Sequence, residues 1–331
     1  MNLRLSKKWF SPVYFHIRKY ADDPKVRRIM IYGGKGSAKT FSVAQMFQIM
    51  GYTQKQSAIV YRKEQTTIKT TLKPSFQKAL DSIMCNPIYT VMDFIFKCVS
   101  GNEIVFKGLD TEGKVKGIEG YKYLLFDELD HYLREEWNQA NISLRGMPGM
   151  KLFATWNPVS EKLWIKGYLD SMEWDDMPLV IDDDPYTQLH HNSFVRRSKD
   201  GKTILIKTTY FDNKWAVGGE GYGFLDQNLI DEYEQLLLLD PNSYRVNVLG
   251  DWGVPEVSRP YCQNFNREKH ISDLAVFNPA LPVYFSLDFN VEPFVCEASH
   301  IWTDANGMHF HTFDEIVIEK NGDVPEMCDM I

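Results

Sequence analysis

Short apolar runs alternate with amphipathic stretches from residue 27 to about residue 158. Five runs have the length and the β-branched or aromatic content of strands. They are residues 28–32, 57–61, 103–108, 123–128 and 151–156. Two stretches, 40–52 and 70–83, carry their apolar residues at helical spacing, and Ser100-Gly101-Asn102 predicts a hairpin turn. Strands that alternate with helices predict an α/β core with a largely parallel sheet.

The pattern changes after residue 160. Residues 160–252 hold acidic loops, a basic run and a helical run at 226–240, which together predict a small helical subdomain. A stretch rich in Gly and Pro at 250–260 predicts a linker, and three strand-like runs after it predict the opening meander of a second domain. The predicted divisions are a core at 1–165, a subdomain at 166–252, a linker at 253–260 and a second domain at 261–331.

Composition changes this picture little. The 331 residues carry a formal charge of −7, so a polyanion would have to bind through a local basic surface. Five scattered cysteines without a C-x-x-C pair favour a reducing compartment over a disulfide framework or a zinc module. The sequence lacks the apolar segments of a signal peptide or a membrane span, which predicts a soluble intracellular protein.

The stretch GGKGSAKT lies between a predicted strand and a predicted helix, and it departs from the phosphate-loop pattern G-x-x-x-x-G-K-[ST] at one position. Its backbone N–H groups would hold phosphates. The residues are Gly33, Gly34, Lys35, Gly36, Ser37, Ala38, Lys39 and Thr40. Lys39 would reach the β- and γ-phosphates, Thr40 would offer its hydroxyl to Mg²⁺, and Ala38 would be tolerated at negative φ. The alternative is a glycine-rich turn with a solvated lysine.

Two later strands end in polar residues. Asp127 and Glu128 follow the apolar run YLLF, where an acid would bind Mg²⁺ and a second acid would act as the base. Thr155 and Asn157 end the run KLFATWNP and could contact the γ-phosphate. The alternatives are an acidic helix cap at 127–128 and a simple Asn-Pro turn at 157–158. In chain order these elements favour a motor-type ATPase.

The assembled motifs resemble the large terminase subunit of tailed bacteriophages. YGGKGSAKT is similar to the phosphate loop of that family, and VYRKEQTTIKTTLKPSFQKAL resembles the segment after its second strand. FKGLDTEGKVKGIEGYKYLLFDELD resembles the approach to its Asp-Glu strand. TTYFDNKW and YRVNVLGDWG are similar to the end of its motor domain, and YFSLDFNVEPF to its first nuclease strand. The resemblance covers residues 9–331.

The resemblance implies a P-loop ATPase with a lid subdomain, using ATP and Mg²⁺. It makes Lys35 a cation near the γ-phosphate, and places Tyr14 and Phe15 where the family stacks its adenine. Arg145 would reach the nucleotide of a neighbouring subunit, although a surface arginine is the alternative interpretation.

The resemblance implies that the second domain is ribonuclease H-like and cuts DNA with two Mg²⁺ or Mn²⁺ ions held by several converging carboxylates, of which Asp288 would be the first. Glu315 is acidic and strand-borne, but an outward-facing strand residue is the better interpretation. The sequence stops after three predicted strands and the start of a helix, so the nuclease is expected to be incomplete.

The resemblance further implies ATP-driven packaging of double-stranded viral DNA into a procapsid. The expected partners are DNA, the small terminase subunit and the capsid portal protein, with the working motor a homo-oligomeric ring in the host cytoplasm and no membrane contact. The candidate DNA contacts are Arg196, Arg197, Lys199, Lys202 and Lys207. The alternative interpretation of these basic residues is a solvated loop, which is the more common explanation of such a run. The alternative functions are a helicase-like or other P-loop ATPase and a non-hydrolysing nucleotide-binding scaffold.

Overall fold

The computed structural model describes residues 5–109, 117–143, 149–213, 227–254, 267–288, 293–318 and 324–331. The chain forms two compact units, Met1–Glu256 and Val257–Ile331. The division between them lies inside the predicted linker at 253–260. Within the described ranges, no helix combines the length and the apolar character needed to cross a bilayer.

Ten strands of the first unit form one sheet. They are β1 (Arg28–Gly33), β2 (Ala58–Arg62), β3 (Tyr89–Val91), β4 (Ile95–Cys98), β5 (Glu103–Gly108), β6 (Tyr123–Asp127), β7 (Lys151–Trp156), β8 (Trp174–Met177), β9 (Phe194–Ser198) and β10 (Thr203–Thr208). Their order is β3-β4-β5-β2-β6-β7-β1-β10-β9-β8. Six neighbouring strands are mutually parallel, namely β5, β2, β6, β7, β1 and β10. Antiparallel strands extend the sheet at both edges. The predicted strands and the largely parallel sheet are confirmed.

Helices cover both faces of this sheet. The helices are α1 (Pro12–Asp22), α2 (Lys39–Thr53), α3 (Gln65–Thr67), α4 (Lys73–Ser82), α5 (Arg134–Ser143), α6 (Trp164–Asp170), α7 (Gln227–Leu239) and α8 (Pro241–Asn247). Side chains of α1, α2 and α4 join one buried apolar cluster, and those of α5 and α6 join a second. Strands β6 and β7 are buried along their whole length, as expected for parallel strands covered on both faces. Both predicted helices, 40–52 and 70–83, are confirmed as α2 and α4, and α4 follows a π-helical turn at Ile68–Leu72.

The predicted division at residue 165 is wrong. Strands β8, β9 and β10 lie within the segment assigned to a helical subdomain, yet they belong to the central sheet, and β10 pairs in parallel with β1. The apolar run in "TILIKT" is too short to distinguish an added core strand from a strand in a separate subdomain. The predicted helix at 226–240 is confirmed as α7, which packs with Tyr210 and Val248 in a small apolar cluster of its own.

The sheet topology brings several polar residues to one edge. Because β1, β2, β6 and β7 are parallel, their carboxyl ends lie at the same edge of the sheet. The strand register places Arg62 beside Asp127 and Asp127 beside Thr155. Residues from four separate parts of the sequence therefore meet at this edge, which is where ligands bind in open α/β sheets.

The second unit contains an antiparallel meander. Its strands are β11 (Val283–Asp288), β12 (Phe294–Asp304) and β13 (Gly307–Ile318), in that order, and its helices are α9 (Arg267–His270) and α10 (Val324–Met330). Phe294, Cys296 and Ile318 pack against Met327 of α10 on one face of the meander. The three predicted strands are confirmed.

Candidate active site

The loop between β1 and α2 folds around the ammonium group of Lys39. Its Nζ donates to the carbonyl oxygens of Gly33 at 3.0 Å and Gly34 at 2.7 Å, and to Ser37 Oγ at 3.1 Å. It also donates to Asn157 Oδ1 at 3.0 Å, which joins the loop to the end of β7. The predicted loop and the predicted Asn157 are therefore in contact.

Gly33 and Gly34 are required by the close approach of other backbone segments. A Cβ at Gly33 would lie 1.8 Å from the carbonyl oxygen of Thr208, and one at Gly34 would lie 2.3 Å from that of Asn247. The backbone N–H of Lys35 also donates to the Asn247 carbonyl at 2.8 Å. The C-terminal ends of α8 and β10 thus support the start of the loop, and no side chain fits between them and the loop.

Ala38 corrects one expectation. The sequence predicts a negative φ for alanine at this position, but Ala38 has φ 58° and ψ 19°, in the left-handed region. This conformation costs a non-glycine residue about 1–2 kcal/mol. The residue precedes α2 directly, so the loop adopts the backbone that glycine would favour while carrying a methyl group.

Asp127 is the centre of the polar cluster. It is 3% exposed, and its Oδ1 accepts hydrogen bonds from the hydroxyls of Thr40 at 2.7 Å and Thr155 at 2.6 Å. These contacts connect the start of α2 with the ends of β6 and β7. The predicted metal-binding pair, Thr40 and Asp127, and the predicted Thr155 are thus brought together.

Arg62 also belongs to this cluster, although it was not predicted from the sequence. Its guanidinium forms an ion pair with Asp127 and a second one with Glu128 at 2.6 Å, and all three side chains are at least half-buried. The signal was present, because Arg62 ends the apolar run of β2 in the same way that Asp127 ends β6. Two adjacent carboxylates at a buried edge require such a counter-charge.

Glu128 has a strained backbone with φ 57° and ψ 58°. Non-glycine residues in this region cost about 1–3 kcal/mol and are concentrated at functional sites. Burial raises the pKa of the Glu128 carboxyl, and the Arg62 guanidinium opposes this rise. A carboxylate with a raised pKa is better suited to accept a proton near neutral pH.

Burial also shifts the pKa of two neighbouring groups. It lowers the pKa of the Lys39 ammonium to about 8, and the carboxylates of Asp127, Asp130 and Glu128 oppose that fall. It raises the pKa of Asp130, against the influence of His131 and Lys39. The ammonium group therefore has a poor solvent environment and gains from any added negative charge.

Two cavities adjoin the loop. The first, of about 280 Å³, is lined by Lys35, Gly36, Lys39, Thr40, Arg62, Thr71, Leu72, Ser75, Asp127, Glu128, Thr155, Trp156 and Asn157. The second, of about 250 Å³, is lined by Gly36, Ser37, Ala38, Lys39, Thr40, Phe41, Ser75, Lys78 and Asn213. Of the two linings, the first holds all of the carboxylates. The hydroxyl of Thr40 and the carboxylate of Asp127 are hard oxygen donors, which suit Mg²⁺.

The remaining predicted site residues fall in several places. Lys35 is exposed and lines the cavity that contains Glu128. Tyr14 is buried and its ring stacks on Phe10 at 4.1 Å, while Phe15 is half-buried against the same core; neither is among the residues lining the two cavities. Arg145 lies outside the described residues.

The predicted acids of the second unit are exposed strand residues. Asp288 ends β11 and Glu315 lies on β13. Among the residues that the structure describes, no group of three or more His, Cys, Asp or Glu side chains is placed to hold a metal ion.

The basic run at 196–202 is paired with acids. Arg196 contacts Asp176, Arg197 contacts Asp23 and Lys199 contacts Asp175, each through an ion pair. Lys207 is buried against Asp251, and Lys202 lies between β9 and β10. Most of this run therefore belongs to a strand and its turn and has local counter-charges.

Comparison with known proteins agrees with this geometry. The family model described as "Phage terminase large subunit" matches residues 25–251, more than half of the chain. The PBSX phage terminase large subunit of Bacillus subtilis (strain 168) is 22% identical over 243 residues, which cover 72% of this chain and 52% of the relative. The large terminase subunit of Bacillus phage SPP1 is 22% identical over 263 residues, covering 75% and 54%.

The fold has a solved counterpart. The large terminase from a thermophilic bacteriophage, in complex with ADP, superimposes with a TM-score of 0.53 at 16% identity, over 97% of this chain and 73% of that chain. The chain spans about half the length of the curated relatives it matches. The match over residues 25–251 includes the loop, both acids and the strands of the central sheet, and the chain belongs to the phage terminase large subunit family.

Proposed function

We propose that this chain hydrolyses ATP to drive the packaging of double-stranded phage DNA. The observation that carries the proposal is the meeting of Lys39, Thr40, Asp127 and Glu128 at one sheet edge. These four residue types are the ones that a P-loop ATPase needs to bind phosphate, hold Mg²⁺ and activate water. Membership in the phage terminase large subunit family supports the packaging role.

Each residue has a role that follows from its position. Lys39 and Lys35 balance the charge of the phosphates, and the left-handed Ala38 leads into the N-terminus of α2, whose N–H groups favour anions. Glu128 accepts the proton of the water that attacks the γ-phosphate. Asn157 accepts a hydrogen bond from Lys39 and so connects the loop to the end of β7.

Thr40 and Asp127 would hold Mg²⁺. When bound, the ion would neutralise charge that develops on the phosphate oxygens. In its present position Arg62 pairs with both acids, so it has to yield the Asp127 oxygen that it contacts for a metal ion to gain full access.

Adenine recognition by Tyr14 and Phe15 stays a prediction, as does the reach of Arg145 to a neighbouring subunit. The exposed Asp288 remains the proposed first metal ligand of a ribonuclease H-like nuclease domain that begins with β11. The proposed partners are DNA, the small terminase subunit and the portal protein, with a ring of this chain working on the procapsid.

The test measures ATP hydrolysis by the wild-type chain, with and without linear double-stranded DNA. We expect hydrolysis that DNA stimulates, and we expect Lys39→Ala to abolish it because the phosphates lose their buried counter-charge. Lys162→Ala is the matched control, since Lys162 is exposed and outside both cavities. A wild-type chain that binds ATP without hydrolysing it would be a nucleotide-binding scaffold and would contradict the proposal.

A further inference from the structure

Helix α4 and the π-helical turn before it have two different faces. Leu72, Phe76, Ala79 and Leu80 are buried in the core. Thr71, Ser75 and Lys78 are polar and are spaced four and three residues apart, which places them on one side of a helix. This polar face lies along the candidate active site, because Thr71 and Ser75 line one cavity while Ser75 and Lys78 line the other.

The two cavities differ in charge. The cavity with Glu128 combines the cations Lys35, Lys39 and Arg62 with two carboxylates. The charged residues that line the second cavity are Lys39 and Lys78, and its lining includes no carboxylate from the described residues. The first cavity suits a metal-bound terminal phosphate, and the second suits an anion without a metal ion.

The order of the two cavities follows the order of groups along a nucleotide. Lys39 lines both cavities, and the lysine at this position of a phosphate loop reaches the β- and γ-phosphates. The second cavity adjoins Thr40 and Phe41 at the N-terminus of α2, where backbone N–H groups favour the phosphates closer to the ribose. Ser75 lies between the two ends, since it lines both cavities.

We propose that the polar face of α4 is the second wall of the nucleotide site, with Lys78 binding the phosphate nearest the ribose. This inference rests on the proposed function, because it assumes that the site takes ATP. The π-helical turn at Ile68–Leu72 supports it, since such turns are frequent at functional sites and this one contributes Thr71 and Leu72 to the cavity with Glu128.

The proposal has a kinetic consequence that a structural role for Lys78 lacks. The phosphate nearest the ribose carries the same charge before, during and after cleavage of the γ-phosphate. Lys78 therefore contributes equally to the binding of substrate, transition state and product. Loss of such a contact raises KM and leaves kcat unchanged.

The experiment compares Lys78→Ala with the wild type in steady-state ATP hydrolysis and in ADP binding by calorimetry. We expect KM for ATP and Kd for ADP each to rise about 10-fold, the usual value of one charge-assisted hydrogen bond, with kcat within about twofold of the wild type. Lys78→Arg should restore most of the affinity, because arginine keeps the phosphate-binding charge. Lys73→Ala, on the same helix but outside both cavity linings, should leave both constants unchanged.

Unchanged KM and unchanged ADP affinity in Lys78→Ala would overturn the inference, and so would a fall in kcat at constant KM. The proposed function fails by a different result, which is a wild-type chain that binds ADP but does not hydrolyse ATP. In that case the ADP affinities of the wild type and Lys78→Ala still decide the role of Lys78.

Discussion

Asp127 and Asp288 have the same setting in the sequence and different settings in the structure. Each follows an apolar strand, and each was predicted to bind a metal ion. Asp127 is buried, accepts hydrogen bonds from Thr40 and Thr155 and pairs with Arg62. Asp288 is an exposed residue at the end of β11. The first site is assembled from four segments of the first unit, whereas the residue opposite Asp288 on the neighbouring strand is the apolar Val295.

The difference shows that a strand ending in an acid locates a sheet edge but does not make a site. At Asp127 the register of the neighbouring parallel strands places Arg62 and Thr155 beside it, and the start of α2 contributes Thr40. At Asp288 the partner strand is antiparallel and places Val295 opposite. A site needs polar residues from several adjacent strand ends, so topology decides its completeness.

The largest expected effect is on the rate of ATP hydrolysis, and it distinguishes Asp127 from Asp288. Asp127→Asn should reduce ATP hydrolysis on the order of 100-fold, because the site loses a charged oxygen donor for the metal ion. Asp288→Asn should hydrolyse ATP at the wild-type rate. Equal losses in the two variants, measured by phosphate release, would break the comparison.

Removal of Arg62 sharpens the comparison by isolating the charge balance of the assembled site. Arg62→Ala leaves the buried Asp127 and the adjacent Glu128 without their counter-charge and should lower the free energy of unfolding by about 3 kcal/mol. Denaturant unfolding measures this loss.

The control for Arg62→Ala is the same substitution in a Glu128→Gln background. In that background Arg62→Ala should lower the free energy of unfolding by less than it does in the wild type, because one of the two negative charges is gone. An equal cost in both backgrounds would mean that Arg62 does not stabilise Glu128.

The sequence predicted most of the first unit and the identity of most site residues. Long apolar strands such as β6 and β7 are recognisable because burial on both faces requires continuous apolar residues. The loop was recognisable from Lys39 and Thr40, although the left-handed backbone of Ala38 was not, because alanine gives no local signal for positive φ.

The rest depended on tertiary structure. Whether β8–β10 join the core sheet is decided by the pairing of β10 with β1, which lies far away in the sequence and leaves no local pattern. Arg62 was recognisable only as the polar end of β2, because its pairing with Asp127 depends on the strand register. Lys78 lies beside residues that are distant in sequence, so its type alone carries too little information.

A smaller effect on stability is expected in the loop between β1 and α2. Ala38→Gly should stabilise the protein by about 1 kcal/mol, because glycine adopts the left-handed region without the steric cost. The matched reverse change is Gly36→Ala, since Gly36 has φ 69°, and it should destabilise by a similar amount. Thermal unfolding of both variants checks the sign, and a destabilised Ala38→Gly would contradict the backbone assigned to the loop.

The smallest effect concerns His16, which is buried in the first unit with its Nε2 2.9 Å from the carbonyl oxygen of Thr187. Burial lowers its pKa below the ordinary value of 6.5, with Lys19 acting in the same direction and Asp212 opposing. The unfolded state therefore binds a proton at higher pH than the folded state does. The stabilisation is complete above pH 6.5 and is lost as the pH falls through the folded pKa.

The check is the melting temperature at about pH 7.5 and about pH 5.5, on either side of the ordinary histidine pKa. His16→Gln keeps a donor for the Thr187 carbonyl and does not titrate, so its melting temperature should fall less on acidification than that of the wild type. An equal fall in both proteins would show that His16 does not contribute to acid sensitivity.

The most direct test of the assembled site is the rate of phosphate release by Glu128→Gln at saturating ATP, with ATP binding measured on the same protein. Glutamine keeps the shape of Glu128 but cannot accept the proton of the attacking water. We expect a fall of about 10²–10⁴-fold in rate with ATP still bound, and no change for Glu135→Gln, an exposed acid on α5. Hydrolysis by Glu128→Gln at the wild-type rate would contradict the account.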